Sequence, residues 1–381
     1  MGYYDVAVIG SGPAGAMAAY YLAKKGVSTV IIEKETLPRY KTCGGGLVFR
    51  ARRKLPFDIS AIVEREFFLI KIHLEGEQKV LSTERDVPVI SMVMRDGFDS
   101  FIIQKAKELG AQLKEGHKLT DITFGKIPVL HTSQGDIHAK MIIAADGALS
   151  PTAKITGWNE TRNLIPALEY EVEVNPEDFE RLSKEVRFDM DSVPHGYAWS
   201  FPKKNHLSLG IASTRRERID LKEYYKKYVE KLGIKEILSE KAHGFQIPIS
   251  PRTDGFYRKN VFLIGDAAGF ADPVTAEGIS NALLSGEMAA EAIIESGLDP
   301  DKAGALYEQN LEKDLLPELK TAQIASKWFY SHRIIRNLIL KKYGEQIVSR
   351  MTDLFIGNRS YPKDFMKSFK NKINEAKRSL I

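Results

Sequence analysis

Residues near the start of the chain have the spacing of a turn that binds a pyrophosphate. Gly10, Gly12, Ala14 and Gly15 lie between an apolar run and a helical pattern. Glycines at these positions let the backbone approach a pyrophosphate, and the N-terminus of the following helix attracts negative charge. Glu33 stands at the distance expected of an acid that accepts hydrogen bonds from an adenosine ribose. The pattern therefore predicts a dinucleotide site formed by these five residues.

Three segments further along the chain indicate which dinucleotide is bound. They begin at Arg95 (Arg-Asp-Gly-Phe-Asp), Ala144 (Ala-Ala-Asp-Gly) and Val261 (Val-Phe-Leu-Ile-Gly-Asp-Ala-Ala-Gly). In order and spacing they resemble the signatures of the large FAD family that includes aromatic hydroxylases, halogenases and isoprenoid reductases. The resemblance implies FAD as cofactor, with Arg95 in a binding segment and Asp266 bonded to a ribityl hydroxyl. We expect the helix that opens at Gly278 and Ile279 to direct its positive end at the flavin and to stabilise the anionic reduced form.

A cysteine followed by three glycines narrows the resemblance. The run Pro-Arg-Tyr-Lys-Thr-Cys-Gly-Gly-Gly ends with Cys43, Gly44, Gly45 and Gly46. It is similar to the Pro-x-x-Tyr-x-x-Cys-Gly-Gly segment of the geranylgeranyl reductase family, flavoenzymes that saturate isoprenoid double bonds. We expect the glycines to let the backbone approach the isoalloxazine, which a side chain at any of them would block. Cys43 is either a small packed residue or a functional thiol near the flavin.

A strand of alternating aromatic residues supports the same family. Tyr197, Trp199 and Phe201 lie in a Tyr-x-Trp-x-Phe-Pro run similar to one that the family carries in its substrate sheet. Alternation places the three rings on one face, where they offer apolar area and π faces that stabilise positive charge on a protonated alkene. Core packing is the alternative explanation, since alternating aromatic residues are common in strands.

Two positions depart from the motifs of the wider FAD family. In aromatic hydroxylases the Asp-Gly signature continues to a Ser and then an Arg, whereas here Ser150 is followed by Ala153 and Lys154. Ala276 stands where many relatives have a glycine before the helix. Both departures concern the approach of the chain to the flavin.

The resemblance implies an ene-reductase that acts on an isoprenoid or lipid substrate. Hydride passes from flavin N5 to one alkene carbon and a proton reaches the other, so an acid is needed nearby. Cys43 and Tyr197 are the candidate acids, and Trp199 belongs to the electron-rich wall beside them. A monooxygenase or halogenase of the same fold is one alternative, although Gly269 stands where hydroxylases often have His. An electron-carrying flavoprotein is the other.

The electron donor is external to the predicted domains. The sequence has no second glycine-rich dinucleotide fingerprint that would indicate a dedicated NAD(P)H domain. NADPH, ferredoxin and flavodoxin therefore all stay open as donors.

Hydrophobic periodicity predicts an α/β fold: a Rossmann-type FAD-binding domain with an inserted antiparallel β-sheet substrate domain and C-terminal helices. The predicted strands are 4–9, 28–33, 111–114, 127–132, 137–145, 164–174, 186–190, 197–201, 206–213 and 261–264. The predicted helices are 13–25, 98–109 and 276–296, with further helix from 300. The predicted domains are FAD-binding parts 1–70, 95–160 and 256–299, substrate-domain parts 71–94 and 161–255, and a C-terminal helical region, 300–381.

Composition argues against several other classes of protein. A formal net charge of +5 over 381 residues is too small to indicate nucleic acid as a partner. One cysteine cannot form an internal disulfide, and the spacing of the eight histidines predicts no metal site. No signal peptide is expected before the first strand, and no apolar run approaches the roughly 20 residues of a membrane span. We expect a cytoplasmic protein, at the membrane surface if membrane is involved, and the oligomeric state stays open.

Basic and apolar residues recur together near the C-terminus. Lys and Arg greatly outnumber Asp and Glu from Lys327 onward. At helical spacing the apolar residues are Ile334, Ile335, Leu338, Ile339, Ile347, Met351, Leu354 and Phe355, and the basic residues are Arg333, Arg336, Lys341 and Lys342. These helices either close the substrate cavity with their apolar faces or form a basic surface that docks on anionic membrane.

Overall fold

The computed structural model describes residues 2–74, 80–214 and 219–361, which form two compact units. The first unit contains the described residues within Met1–Lys41, Arg95–Leu164 and Ile247–Leu319. The second contains those within Thr42–Met94, Ile165–Gln246 and Lys320–Ile381. Helices and sheets occur in both, which confirms the predicted α/β class.

A mainly parallel sheet forms the centre of the first unit. Its central strand, Gly2–Ile9, pairs in parallel with Gly135–Ala144 on one side and with Thr29–Ile32 on the other. Val6 and Ala7 are fully buried, as expected of a parallel strand covered on both faces. The strand order is Tyr257–Arg258, Val261–Leu263, Gly135–Ala144, Gly2–Ile9, Thr29–Ile32 and Gln112–Lys114, with Val129–Thr132 and Leu119–Thr123 joined to Gly135–Ala144 as an antiparallel extension.

The first helix follows the central strand directly. It spans Pro13–Lys24 after Gly12, and Pro13 suits the first turn, where its missing N–H leaves no helical hydrogen bond unmade. The predicted strand, helix and second strand are thus confirmed, with differences only at their ends. The helices of this unit are Pro13–Lys24, Arg95–Glu108, Pro151–Thr156, Gly265–Ala268, Ile279–Glu295 and Pro300–Asp314.

A seven-stranded sheet dominates the second unit. Four of its strand pairs are antiparallel: Leu164–Val174 with Leu207–Ser213, Leu207–Ser213 with Gly196–Pro202, Gly196–Pro202 with Val186–Met190, and Leu69–Leu74 with Val80–Glu84. Val186–Met190 runs parallel to Leu69–Leu74. The strand order is Ile237–Pro248, Leu164–Val174, Leu207–Ser213, Gly196–Pro202, Val186–Met190, Leu69–Leu74 and Val80–Glu84. The helical segments are Phe49–Arg52, Ser60–Ile62, Pro176–Leu182, Leu221–Lys231, Leu316–Ser331 and Arg333–Ile356.

The second unit begins earlier in the chain than the predicted substrate domain. The sequence assigns residues 42–70 to the FAD-binding domain, whereas the structure places them in the second unit. The cause is a small sheet in which Gly46–Val48 and Arg65–Phe67 both pair with Ile90–Met92. Strands of three residues are too short to show a period-2 pattern. The functional labels of the domains stay predictions.

The two faces of the seven-stranded sheet differ in character. One face packs an apolar core in which Val172, Ala198 and Leu209 meet helix Leu221–Lys231. The opposite face carries four aromatic side chains in mutual contact, and we call it the aromatic face: Phe188, Tyr197, Trp199 and Phe201. Alternation along Gly196–Pro202 therefore separates the core from the aromatic face, as predicted.

Gly210 allows the Trp199 ring to lie across the neighbouring strand. The two residues are paired between Gly196–Pro202 and Leu207–Ser213. A Cβ atom on Gly210 would lie 1.9 Å from Trp199 Cζ2, a distance at which atoms cannot coexist. The position of the indole thus depends on the absence of a side chain at Gly210.

The C-terminal helices only partly match the predicted basic face. Arg336 is 2% exposed and pairs with the partly buried Asp191, so it does not belong to a solvated basic surface. Ile334 is 79% exposed and Leu338 39% exposed, whereas Ile339 is buried. Residues 362–381, which carry the rest of the predicted basic region, lie outside the described residues. Of the described helices, none combines the length and apolar character needed to cross a membrane.

We predict that Gly210→Ala destabilises the protein by about 1–3 kcal/mol, because the added methyl group must displace the indole or the strand. Chemical denaturation of the two proteins measures the difference. Gly244→Ala in strand Ile237–Pro248 is the matched control, since its nearest contacts would be ordinary ones at 3.9 Å. Equal destabilisation by both substitutions would contradict the packing argument.

Candidate active site

The glycine-rich turn lies between the central strand and the first helix of the first unit. Gly10 has φ +100°, and a Cβ there would lie 2.5 Å from Ala145 O. At Gly15 a Cβ would lie 2.1 Å from Gly10 O. Gly12 differs, because among the described residues its Cβ would meet only Arg95 Nη2, at 3.9 Å. Gly12 therefore faces open space at a helix N-terminus, as a pyrophosphate site requires.

Ala14 lies on the side of the first helix that packs against another helix. It is 6% exposed, and a Cβ on Gly286 would lie 2.3 Å from its carbonyl oxygen. This close packing sets the position of the first helix and of the turn before it. Ala14 is thus placed to support the turn rather than to contact a ligand with its side chain.

Glu33 is a buried carboxylate at the end of the second strand. Ser11 donates to Glu33 Oε2 from its backbone N–H at 3.0 Å and from its hydroxyl at 2.5 Å. Burial raises the pKa of Glu33, but the bonds from Ser11 and Glu35 and the charge of Arg39 outweigh it, so the pKa lies below its ordinary value. The carboxylate is therefore ionised and suited to accept ribose hydroxyls.

Two arginines converge on the fully buried Asp99. Arg95 donates to Asp99 from Nε and Nη2, both at 2.8 Å, and Arg39 donates from Nη1 at 3.1 Å. This bidentate pairing fixes the Arg95 guanidinium beside Gly12, where it suits a phosphate. The sequence reasoning identified Arg95 but missed Arg39, although it lies within the same run as Cys43.

Asp266 lies beside the start of the long helix Ile279–Glu295. A Cβ on Gly278 would lie 3.3 Å from Asp266 Oδ1, and in the first turn of this helix Ser280 N–H donates to Glu277 Oε1 at 2.8 Å. Loss of hydration raises the pKa of Asp266, while Lys41, Arg95 and other cations partly oppose that rise. The predicted residues Asp266, Gly278 and Ile279 are therefore brought together in the first unit.

The segment that departs from the Asp-Gly signature of aromatic hydroxylases is held by Ser150 and Arg162. Ser150 donates to Asp146 Oδ1 at 2.6 Å, and the buried Arg162 donates to Ala148 O at 2.7 Å and Asp266 O at 2.6 Å. Arg162 thus joins two signature segments, and no motif in the sequence indicates it. Lys154 is exposed.

Ala276 adopts a backbone conformation that favours glycine. Its φ is +56°, in the left-handed region where a Cβ costs about 1 kcal/mol. This conformation explains why a glycine is expected at the position, and it leaves the chain before helix Ile279–Glu295 strained.

In the second unit, the glycines after Cys43 pack against the aromatic face. A Cβ on Gly44 would lie 3.0 Å from both Phe201 Cδ2 and Trp199 Nε1, and one on Gly46 would lie 3.1 Å from Phe201 Cε2. The sequence reasoning assigned these glycines to an approach by flavin. The structure adds a second reason for glycine, since a side chain at either position would be in tight contact with the aromatic face.

Gly45 and Cys43 form the turn itself. Gly45 has φ +64°, and a Cβ there would lie 2.1 Å from Val93 O. Its N–H donates to Cys43 Sγ at 3.4 Å, and Cys43 is partly exposed. The Gly45 amide thus points at the Cys43 sulfur and orients it within the turn.

Two of the three candidate catalytic residues of the second unit, Tyr197 and Trp199, lie side by side. Tyr197 and Trp199 are 8% and 7% exposed, with ring centroids 6.1 Å apart. The sequence reasoning missed Phe188, whose ring centroid lies 5.2 Å from that of Phe201 and which completes the aromatic face. Alternation within its own strand gave no sign of this pairing, because the neighbour comes from a strand further along the chain.

Two buried ionisable groups near the aromatic face, Glu169 and Lys203, were not predicted from the sequence. Glu169 accepts a hydrogen bond from Ser208 at 2.6 Å, and burial raises the pKa of Glu169 to about 7. Lys203 donates to Gly44 O at 2.7 Å, and burial lowers its pKa. Glu169, Glu171 and Glu173 recur at every second position of strand Leu164–Val174, a pattern typical of a solvated face. The sequence therefore did not indicate that Glu169 is buried.

Two family models match the chain. One is described as pyridine nucleotide-disulphide oxidoreductase and matches residues 4–182. The other is described as geranylgeranyl reductase catalytic domain and matches residues 165–243, which include Glu169 and all four residues of the aromatic face.

Curated relatives and a solved structure agree with the second model. The chloroplastic geranylgeranyl diphosphate reductase of Oryza sativa subsp. japonica is 30% identical over 97% of this chain and 84% of the relative. The digeranylgeranylglycerophospholipid reductase of Thermoplasma acidophilum is 30% identical over 77% of this chain and 78% of the relative. The chain belongs to the geranylgeranyl reductase family of FAD-dependent oxidoreductases.

A crystal structure of a family member extends the likeness to three dimensions. The geranylgeranyl bacteriochlorophyll reductase-like protein from Thermoplasma acidophilum has a TM-score of 0.81 and 25% identity, over 98% of this chain and all of that one. The two proteins therefore share one fold over nearly the whole length of this chain.

The first unit fits the ADP half of FAD. Space at Gly12, an ionised Glu33 and an Arg95 held by Asp99 supply the groups that a pyrophosphate and a ribose need. Asp266 and the start of helix Ile279–Glu295 offer a carboxylate and a positive helix end. These are the residues that we expect to hold the cofactor.

We predict that Gly12→Val removes FAD but leaves the fold intact, because its side chain would fill the space facing Arg95. Gly15→Val should instead unfold the protein, since its Cβ would lie 2.1 Å from Gly10 O. Flavin absorbance per protein and the thermal melting temperature of the apoprotein separate the two effects. Full flavin content in Gly12→Val would contradict the assignment.

Proposed function

We propose that the protein is an FAD-dependent reductase that saturates carbon–carbon double bonds of an isoprenoid chain. The observation that carries the proposal is the aromatic face with the two glycines Gly44 and Gly46, which follow Cys43, packed against it, within a chain of this family. The two relatives are named for substrates that carry geranylgeranyl chains. A geranylgeranyl lipid, a prenyl quinone or a similar isoprenoid is the substrate class.

The residues of the second unit have separable roles in this proposal. Reduced FAD, when bound, supplies hydride from N5 to one alkene carbon, after reduction by NADPH, ferredoxin or flavodoxin. Phe188, Trp199 and Phe201 provide apolar area for the chain and π faces for positive charge that develops on the alkene. Cys43 gives its proton to the other alkene carbon, and Tyr197 is the second candidate acid.

The alternative is a monooxygenase or halogenase of the same fold. Gly269 opposes it, because hydroxylases often have His in this segment. Gly269 has φ +86°, and a Cβ there would lie 2.2 Å from Ser250 O. A histidine cannot occupy this position without movement of the backbone.

We predict that the dithionite-reduced protein, under argon, adds two hydrogens per double bond to an unsaturated isoprenoid lipid, measured by mass spectrometry. Cys43→Ala should lower the rate about 100-fold and Tyr197→Phe about tenfold, with flavin content unchanged.

Tyr170→Phe is the control for Tyr197→Phe, since Tyr170 stacks on Tyr225 in the apolar core on the other face of the sheet. Wild-type rates in both Cys43→Ala and Tyr197→Phe would exclude these residues as acids. No change in substrate mass with any isoprenoid would contradict the function.

We further propose that helix Arg333–Ile356 docks on anionic membrane. Ile334 and Leu338 are exposed one turn apart, and Arg333, Lys341 and Lys342 are exposed on the same helix. Exposed apolar residues beside basic ones suit the interface of a bilayer, where each cation contributes about 1 kcal/mol. Such docking would deliver a substrate that is nearly insoluble in water.

We predict that the protein co-sediments with anionic vesicles and is released as salt rises, because exposed charges are screened over about 10 Å at 0.1 M. Leu338→Ser should weaken this binding several-fold. Leu238→Ser is the matched control, because Leu238 is 58% exposed on a strand. Absence of binding in every condition would contradict docking.

A further inference from the structure

Two completely buried ionisable groups near Cys43 have no part in the chemistry described above. Glu169 is 1% exposed and Lys203 is 0% exposed. Lys203 Nζ donates to Gly44 O at 2.7 Å and to Val93 O at 3.0 Å, so it holds the backbone that follows Cys43. Burial of such groups costs several kcal/mol, and groups of this kind concentrate at functional sites.

Glu169 and Trp199 lie on one row of the sheet, on either side of Gly210. The register pairs Glu169 with Gly210 and Gly210 with Trp199. Gly210 has no side chain, and the indole lies over it. In this row no other side chain therefore stands between the carboxyl of Glu169 and the aromatic face.

Each of these two residues has a polar atom without a hydrogen-bond partner in the described part of the chain. The atoms are Glu169 Oε2 and Trp199 Nε1. Buried polar atoms are nearly always bonded in native proteins, so an unbonded carboxyl oxygen needs another explanation. Because Oε1 is already bonded to Ser208, Oε2 is the atom free to exchange a proton.

The groups that act on Glu169 come from several elements. Burial and the charge of Glu171 raise the pKa of Glu169 to about 7, while Ser208, Lys203 and the backbone amide of Cys43 lower it. The charged groups around the site are Glu171 with its partner His206 at 2.9 Å, Lys203, and Glu64, which acts on Lys203. A carboxyl whose pKa is raised toward neutral pH can both give and take a proton there.

We propose that Glu169 resupplies the proton that Cys43 gives to the alkene. The inference rests on the proposed function, in which Cys43 is the acid. Once the Cys43 thiol has lost its proton, the O–H bond of Glu169 breaks and the S–H bond of Cys43 forms. The resulting Glu169 carboxylate takes a proton from solvent. Each double bond thus consumes one hydride and one proton, and Lys203 stabilises whichever anion is present.

Glu169 acts in this scheme through Cys43 and does not touch the substrate. Its protonated form is the active one, so the rate should fall as the pH rises through about 7. Two neighbours should move that inflection in opposite directions. Ser208→Ala removes a bond that lowers the pKa of Glu169 and shifts the inflection to higher pH, whereas Glu171→Gln removes a repulsive charge and shifts it to lower pH.

The direct test is an NMR titration of the holoenzyme labelled with ¹³Cβ cysteine. Cys43 is the only cysteine of the chain, so the label gives a single signal. We expect the ionisation of Glu169 to displace this signal in a step near pH 7 in the wild type. The step should shift as stated in Ser208→Ala and Glu171→Gln and should be lost in Glu169→Gln. A step that persists in Glu169→Gln, or is absent from the wild type, would overturn the inference.

The pH profile of isoprenoid reduction is the second readout. Glu169→Gln should lower kcat at pH 7 about 100-fold with unchanged flavin content, and the inflection near pH 7 should disappear. If Glu169→Gln fails to fold, the opposite shifts of Ser208→Ala and Glu171→Gln still decide the matter. If the wild type reduces no isoprenoid while its NMR signal shifts with pH as expected, the proposed function is contradicted. The coupling of Glu169 to Cys43 is then still supported.

Discussion

The packing of the Trp199 indole over Gly210 is the constraint on which the second unit depends. The ring occupies the space that a side chain at Gly210 would need, and a Cβ on Gly44 would be in tight contact with it, 3.0 Å from Trp199 Nε1. One aromatic residue therefore explains glycines in two distant segments. It also aligns Glu169, Gly210 and Trp199 in a single row of the sheet. The chemistry assigned to this face follows from that row.

In the first unit, ion pairs and hydrogen bonds orient the candidate binding residues, whereas in the second unit apolar packing orients the aromatic face. Asp99 holds Arg95 and Arg39, and Ser11 holds Glu33, so each ionised side chain has a fixed direction before any ligand arrives. Such preorganisation lowers the free-energy cost of binding, because the side chains need not be ordered by the cofactor. The first unit thus presents a basic group, Arg95, that suits the phosphates of an ADP moiety, and an acidic group, Glu33, that suits its ribose hydroxyls.

Much of this arrangement could be predicted from the sequence, for identifiable reasons. The turn at Gly10 to Gly15 and the strand carrying Trp199 have strong local patterns, and the structure places them as expected. Glu169 and Phe188 could not be found in this way, because their importance comes from neighbours on other strands. Arg336 shows the converse: its pattern is that of a solvated helix face, yet pairing with Asp191 buries it.

Anaerobic single-turnover absorbance of the reduced holoenzyme tests the central claim most directly, namely that the bound flavin gives its electrons to an isoprenoid double bond. The account predicts that the visible flavin absorption, bleached by reduction under argon, returns when an unsaturated isoprenoid is added, in proportion to the double bonds supplied. A flavin that stays bleached with every isoprenoid and regains its absorption only when oxygen is admitted would contradict the account.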